Sequence, residues 1–124
     1  GVILELNCES DFVAKNEDFK KLANELCLQV VATNSLFVKE EDIDQESLDA
    51  EKRVFLEQLV DMGKPQEIAD KIVIGKLEKY KKEICLMSQP WIKDNTKTIN
   101  DLINESISKL GENIILKRFT KYEI

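Results

Sequence analysis

Leu59-Val60-Asp61-Met62-Gly63-Lys64-Pro65-Gln66-Glu67-Ile68 is the stretch that decides the fold. It stops one helical pattern and starts another at once. Upstream, Leu48, Phe55, Leu59 and Met62 fall on one stripe; downstream, Ile68, Ile72, Val73, Leu77 and Tyr80 recur at helical spacing. Gly63 stands where a glycine in the left-handed conformation ends a helix. Pro65 suits the first turn of the next helix, where a missing N–H costs nothing. Gly75 is tolerated inside that helix at about 1 kcal/mol relative to Ala. A link as short as Gly63-Lys64 forces the two helices antiparallel, so residues 45–83 form a helical hairpin.

The charges sort between its arms. Residues 39–62 carry nine acidic and three basic side chains, and 64–82 carry six basic and three acidic, so the arms are net −6 and +3. Opposite charges favour antiparallel pairing and could discriminate partners. Equally, they could be solvated faces with some cross-helix ion pairs, each worth only tenths of a kcal/mol.

Outward from the hairpin, Lys39-Glu40-Glu41-Asp42-Ile43-Asp44 is an acidic connector after a break over 34–38. Before it, Asn16 is a candidate N-cap with Glu17 and Asp18 in the first turn. Phe19, Leu22, Ala23, Leu26 and Val30 then mark an amphipathic helix over 17–32. Val2-Ile3-Leu4-Glu5-Leu6-Asn7 reads as a strand. On the other side, 83–87 reads as a short strand and Ser88-Gln89-Pro90-Trp91 as a turn. Thr98 with Asp101 makes a capping box before Leu102, Ile103, Ile107 and Leu110, and Gly111 ends that helix. Residues 114–122 form a closing strand. Helices and strands in this order, without a βαβ rhythm, specify an α+β fold: a small antiparallel sheet packed on helices with a protruding antiparallel helical hairpin. The 124 residues make one domain with one appendage. A chain opening at Gly1 inside a strand-like run reads as a fragment of something longer.

Several functions are disfavoured. A net charge of −6 argues against a nucleic-acid surface, and no apolar run approaches the ~18 residues of a membrane span. There is no histidine, and Cys8, Cys27 and Cys85 are widely spaced, which indicates neither a metal site nor a disulfide framework. Three reduced thiols suggest a cytosolic compartment. Cys8 is expected to be buried and inert rather than an activated nucleophile. Neither Gly63-Lys64 nor Gly75-Lys76 begins a phosphate-cradling motif, so the chain is expected to bind no cofactor or nucleotide and to be no enzyme.

The residues left for function lie in Cys8-Glu9-Ser10-Asp11-Phe12-Val13-Ala14-Lys15-Asn16, which puts an aromatic where a loop should be polar. Phe12 and Val13 are either core residues tucking a strand end onto a helix or a short plug offered to a protein partner.

The run from Glu5 through Asn16 resembles the signature of the translation elongation factor Ts family, with Ser10 where Thr is usual. Gly63-Lys64-Pro65-Gln66-Glu67-Ile68-Ala69-Asp70-Lys71-Ile72 resembles the hairpin turn and return helix of that family. Ser88-Gln89-Pro90-Trp91-Ile92-Lys93-Asp94 resembles a segment in which Phe commonly replaces Trp91. Lys97-Thr98, Leu110-Gly111-Glu112-Asn113-Ile114, Arg118-Phe119 and Tyr122-Glu123 complete the series, in family order along the whole chain.

The resemblance implies a guanine-nucleotide exchange factor that binds GDP-bound and nucleotide-free elongation factor Tu. It implies that the residues matching Asp11 and Phe12 insert between two helices of the Tu G domain near its magnesium. The segment matching Leu110 and Gly111 would approach the phosphate-binding loop. Ser10, Asp11, Phe12, Val13, Leu110 and Gly111 are therefore the expected partner-binding residues. The resemblance also implies the family's core, or dimerisation, domain without its helical N-terminal domain, working in a bacterial cytoplasm or in the matrix or stroma of a bacterium-derived organelle. A homodimer is expected on the same ground, and because Ile114, Leu116 and Phe119 need cover. The rival reading is a non-catalytic adaptor or structural module that binds through its hairpin.

Overall fold

A computed structural model describes residues 1–124. In chain order it contains β1 (Val2–Asn7), α1 (Asp11–Ala14), α2 (Glu17–Ala32), α3 (Gln45–Asp61), α4 (Gln66–Ile84), β2 (Pro90–Trp91), β3 (Asp94–Thr98), α5 (Ile99–Leu110) and β4 (Ile115–Lys121). The α+β class holds, but the strands form two separate antiparallel pairs, β1 with β4 and β2 with β3.

The terminal strands pair as their patterns demand. Val2, Leu4 and Leu6 point to one face and pack on the main core. On β4 the partners of Leu4 and Leu6 are Phe119 and Leu116, three residues apart, because the register skips Lys117. Strand side chains alternate with period two, so without this bulge Leu116 would face away from the core. Leu116 is instead buried, as is Ile114. Both join Val13, Phe19, Leu22, Leu26, Val30, Leu86, Ile99 and Ile103, with Phe119 packed against the cluster. The apolar strand residues expected to need a second copy are thus covered by α2 and α5 of the same chain.

Helix α2 begins where Asn16 accepts a hydrogen bond from the Asp18 N–H at 2.8 Å. Its inward stripe includes Gln29, fully buried, whose amide donates to the carbonyl of Pro90 at 3.0 Å and accepts from the Ile92 N–H at 2.9 Å. Gln89, also buried, donates to the Glu83 carbonyl at 2.7 Å and to Ser35 Oγ at 2.9 Å. These two amides satisfy backbone groups that no ladder reaches, and they seat the β2–β3 hairpin where the sequence suggests only a turn.

The helical hairpin forms as its turn dictates. Asp44 caps α3 by accepting from Ser47 N–H at 3.0 Å, Gly63 takes φ 79°, and Pro65 occupies the cap position before α4. The distal core is Leu59, Ala69 and Val73, with Phe55, Leu56 and Ile72 against it. Met62 and Ile68, expected on the inner stripes, are largely exposed. Met62 is the C-cap residue of α3, and Ala69 rather than Ile68 takes the inward place. No ion pair joins the two arms; the one on the hairpin, between Lys81 and Glu78, lies within α4. The arms meet instead through the Phe55 and Tyr80 rings, edge to face at 6.3 Å, and through Lys76 Nζ over the Phe55 ring at 5.7 Å.

The base of the hairpin is stitched together. Leu36 and Phe37 N–H both donate to the Ile84 carbonyl, Leu86 N–H to the Phe37 carbonyl and Met87 N–H to the Val38 carbonyl. The apolar run expected as a strand over 83–87 is therefore the end of α4, one bridge between Cys85 and Phe37, and a 3-10 turn at Leu86–Ser88. Burial from both sides, not sheet pairing, accounts for its hydrophobicity. Helix α5 starts at the expected box: Thr98 Oγ1 accepts from Asp101 N–H at 3.1 Å and Asp101 accepts from Thr98 N–H at 3.0 Å. It ends at Gly111 with φ 73°.

Candidate functional site

Ser10 turns the chain out of β1. Its extended backbone and its side chain, which accepts from the Val13 N–H at 3.4 Å, make it the N-cap of α1, a single helical turn rather than the expected loop. Successive residues on a helix point about 100° apart. One neighbour therefore faces in and the other out: Val13 is 8% exposed and belongs to the core, whereas Phe12 is 90% exposed. The two were expected to act together, and the turn separates them. Asp11, at the first helical position beside Phe12, is exposed as well.

The second expected segment lies alongside. Leu110 packs on the core as α5 ends, Gly111 reverses the chain in the left-handed region, and the next residue, Glu112, points back to the α1 tip. One oxygen of Glu112 accepts from the backbone N–H of Ser10 at 2.9 Å and of Glu9 at 3.2 Å, and the other accepts from Ser10 Oγ at 2.5 Å. Ser10, Asp11, Phe12, Leu110 and Gly111 are thereby brought side by side from positions about a hundred residues apart in the chain. Glu112 was not among the expected site residues. Its signals in sequence are a carboxylate directly after the glycine that ends a helix and its place in the Leu110–Ile114 block of the resemblance.

Between α2 and α5 a groove of about 310 Å³ is lined by Asp18, Leu22, Glu25, Trp91, Lys93 and Leu110 among others. Lys109 pairs with Asp18 at 3.2 Å and Lys93 with Glu25 at 2.6 Å. The second Glu25 oxygen and Trp91 Nε1 are buried without a protein partner.

Cys85 is fully buried, and its thiol is pushed up to about 11 by burial and then by the nearby Glu40, Asp42 and Glu41. Burial also raises Cys27. Cys8 is half-buried rather than buried, its Sγ 3.3 Å from the Ser10 carbonyl. No group of three or more Cys, Asp or Glu side chains is placed to hold a metal, and no helix is long and apolar enough to cross a membrane.

A family model described as Elongation factor TS matches residues 21–106. The chain belongs to the elongation factor Ts family. Elongation factor Ts of Caldanaerobacter subterraneus subsp. tengcongensis is 47% identical over 123 residues, covering 99% of this chain and 62% of that protein. Elongation factor Ts of Moorella thermoacetica is 48% identical over 124 residues, covering 100% and 61%. That of Thermotoga petrophila is 52% identical over 124 residues, again covering 100% and 61%. The chain thus spans about three fifths of the length of these relatives.

Membership corrects one expectation outright. The absence of catalytic side chains suggested a protein that is no enzyme, but elongation factor Ts is a guanine-nucleotide exchange factor, which is a catalytic function of a kind. A search for nucleophiles and bases passes over it.

Proposed function

We propose that this chain is a guanine-nucleotide exchange factor of translation elongation, which binds the G domain of elongation factor Tu and promotes GDP release by disturbing its magnesium and phosphate site. The observation that carries the reading is Phe12, 90% exposed on a capped, ordered turn. A free Phe ring forgoes roughly 1.5–3 kcal/mol of burial, which a partner's pocket supplies. Asp11 beside it can accept from backbone N–H groups at the start of a partner helix. The Leu110–Gly111 turn, held next to the tip, reaches a second point on the same partner.

Release follows from linkage. A wedge whose pocket opens only when the magnesium geometry is lost binds nucleotide-free elongation factor Tu more tightly than the GDP form. GDP then weakens the factor by the same ratio. Residues 1–124 act as the core module of the factor, with 45–83 as its hairpin. The place of action is where elongation factor Tu works, a bacterial cytoplasm or the interior of a bacterium-derived organelle. A second copy is proposed to cover the outer face of the terminal strands, where Ile3 and Ile115 are exposed. Sedimentation showing only monomer at tens of micromolar, a high concentration on the scale of specific association, would refute that dimer.

The test is release of fluorescent GDP from elongation factor Tu by this chain at a tenth of the Tu concentration. Acceleration with turnover supports the reading, and excess GDP must displace the chain. No acceleration, with binding retained by a hairpin peptide alone, would favour an adaptor that works through α3 and α4.

A further inference from the structure

We infer that Glu112 is the positioning residue of the exchange surface, the group that holds the Phe12 tip and the Leu110–Gly111 turn as one rigid unit. The inference rests on the function proposed above. The observation is three hydrogen bonds converging on one carboxylate from the strand of chain that enters α1: Glu9 N–H, Ser10 N–H and the Ser10 hydroxyl.

A helix of four residues cannot hold itself, because nucleating the first turn fixes several dihedrals for one backbone hydrogen bond. Here the N-terminal donors are satisfied from outside. Ser10 gives its hydroxyl proton to Glu112 and turns its lone pair to the Val13 N–H, so the cap and the clamp form one relay from Val13 through Ser10 to Glu112. The relay ends on the residue after Gly111, whose left-handed backbone aims it. Without it, the Glu9 and Ser10 N–H groups have only water, and Phe12 swings on a frayed end. Ordering that end would then have to occur on binding, which lowers affinity without removing any contact to the partner.

Side-chain length is decisive. Alanine removes the acceptor, and aspartate falls one methylene short. Glutamine keeps an oxygen for the two backbone donors and an amide that Ser10 Oγ can accept from. The experiment compares the unaltered chain with Glu112→Ala, Glu112→Asp and Glu112→Gln in three measurements: thermal melting, NMR amide exchange at Glu9 and Ser10, and GDP release from elongation factor Tu. The expected result is at least tenfold loss of both amide protection and stimulated release in Glu112→Ala and Glu112→Asp. Glu112→Gln should stay within threefold, and melting should be nearly level throughout. Phe12→Ala should cost less in the Glu112→Ala background than alone. Unchanged amide protection in Glu112→Ala overturns the inference whatever release does, and so does lost protection with unchanged release. Failure of the unaltered chain to release GDP overturns the exchange reading together with the role built on it, and that failure is separable because it shows before any variant is made.

Discussion

Phe12 and Val13 are adjacent in sequence, and their alanine variants should fail in opposite ways. Phe12 is 90% exposed, so Phe12→Ala should change stability by no more than about 0.5 kcal/mol, the range of surface substitutions away from special features. If the ring is the anchor, its loss should weaken binding to nucleotide-free elongation factor Tu by about 2 kcal/mol or more. That is roughly thirtyfold in affinity. Val13, 8% exposed, packs in the main cluster. Val13→Ala removes about two methylene equivalents at ~0.8 kcal/mol each and leaves a small cavity, about 2 kcal/mol in all. At about 4 °C per kcal/mol for a chain of this size, melting should fall by about 8 °C. Thermal melting beside GDP release, on both variants, separates the two roles. A Phe12→Ala protein that melts as though it had lost a core Phe, a cost of about 3–5 kcal/mol, while releasing GDP normally would show that the ring is structural and the tip is not the site.

Two glycines should respond with opposite signs: Gly75→Ala, exposed mid-helix with open space around the new Cβ, should raise stability by about 0.5–1 kcal/mol, and Gly63→Ala, at φ 79°, should lower it by about 1–2 kcal/mol. Denaturant titration of each measures both. Cys85 has a folded-state value of about 11 against an ordinary 9.0, so the stability it confers is whole below pH 9 and is lost as pH rises towards 11. Unfolding free energies at pH 8 and pH 10.5 should differ less in Cys85→Ala, and an equal fall in both proteins would remove Cys85 as the cause. Lys93→Met leaves the Glu25 carboxylate, whose side chain is 10% exposed, without its partner, and should cost about 1–3 kcal/mol by urea titration; an unchanged midpoint would mean that water replaces the ammonium at no cost.

The sequence was legible where one residue decides the backbone. Gly63 and Gly111 stop helices because only a residue without Cβ takes φ near 75° cheaply, and Asn16 and the Thr98–Asp101 box start helices through caps that depend on short spacings. It was illegible where distant groups decide. Asp94–Thr98 is polar throughout and shows no strand alternation; its place is set by pairing with Pro90–Trp91, which Gln29 of another element holds through the Pro90 carbonyl. Ala69 gave no hydrophobic signal because the closeness of α3 and α4 matters there, not side-chain size. At the tip, the residue type of Phe12 raised the right question, but its exposure and the inward turn of Val13 follow from a cap that Glu112 completes from the far end of the chain.

The stitched base of the hairpin makes the arm interchangeable. Val38 and Met87 are hydrogen-bonded neighbours at 3.1 Å although 48 residues lie between them, so the outgoing and returning chains leave the body side by side. The distal helices keep a core of their own, Leu59, Ala69 and Val73, which shares no buried residue with the body. Leu86 belongs to the core of the body and the Glu83 and Ile84 carbonyls to its stitching, so the arm beyond this base, over residues 45–82, sets the reach without setting the fold of the body. Lengthening that part by whole helical turns adds reach at 1.5 Å per residue. The outer arm behaves as an adjustable lever on a fixed mount, and its length can change under selection or by design while Phe12 on its clamp keeps its geometry.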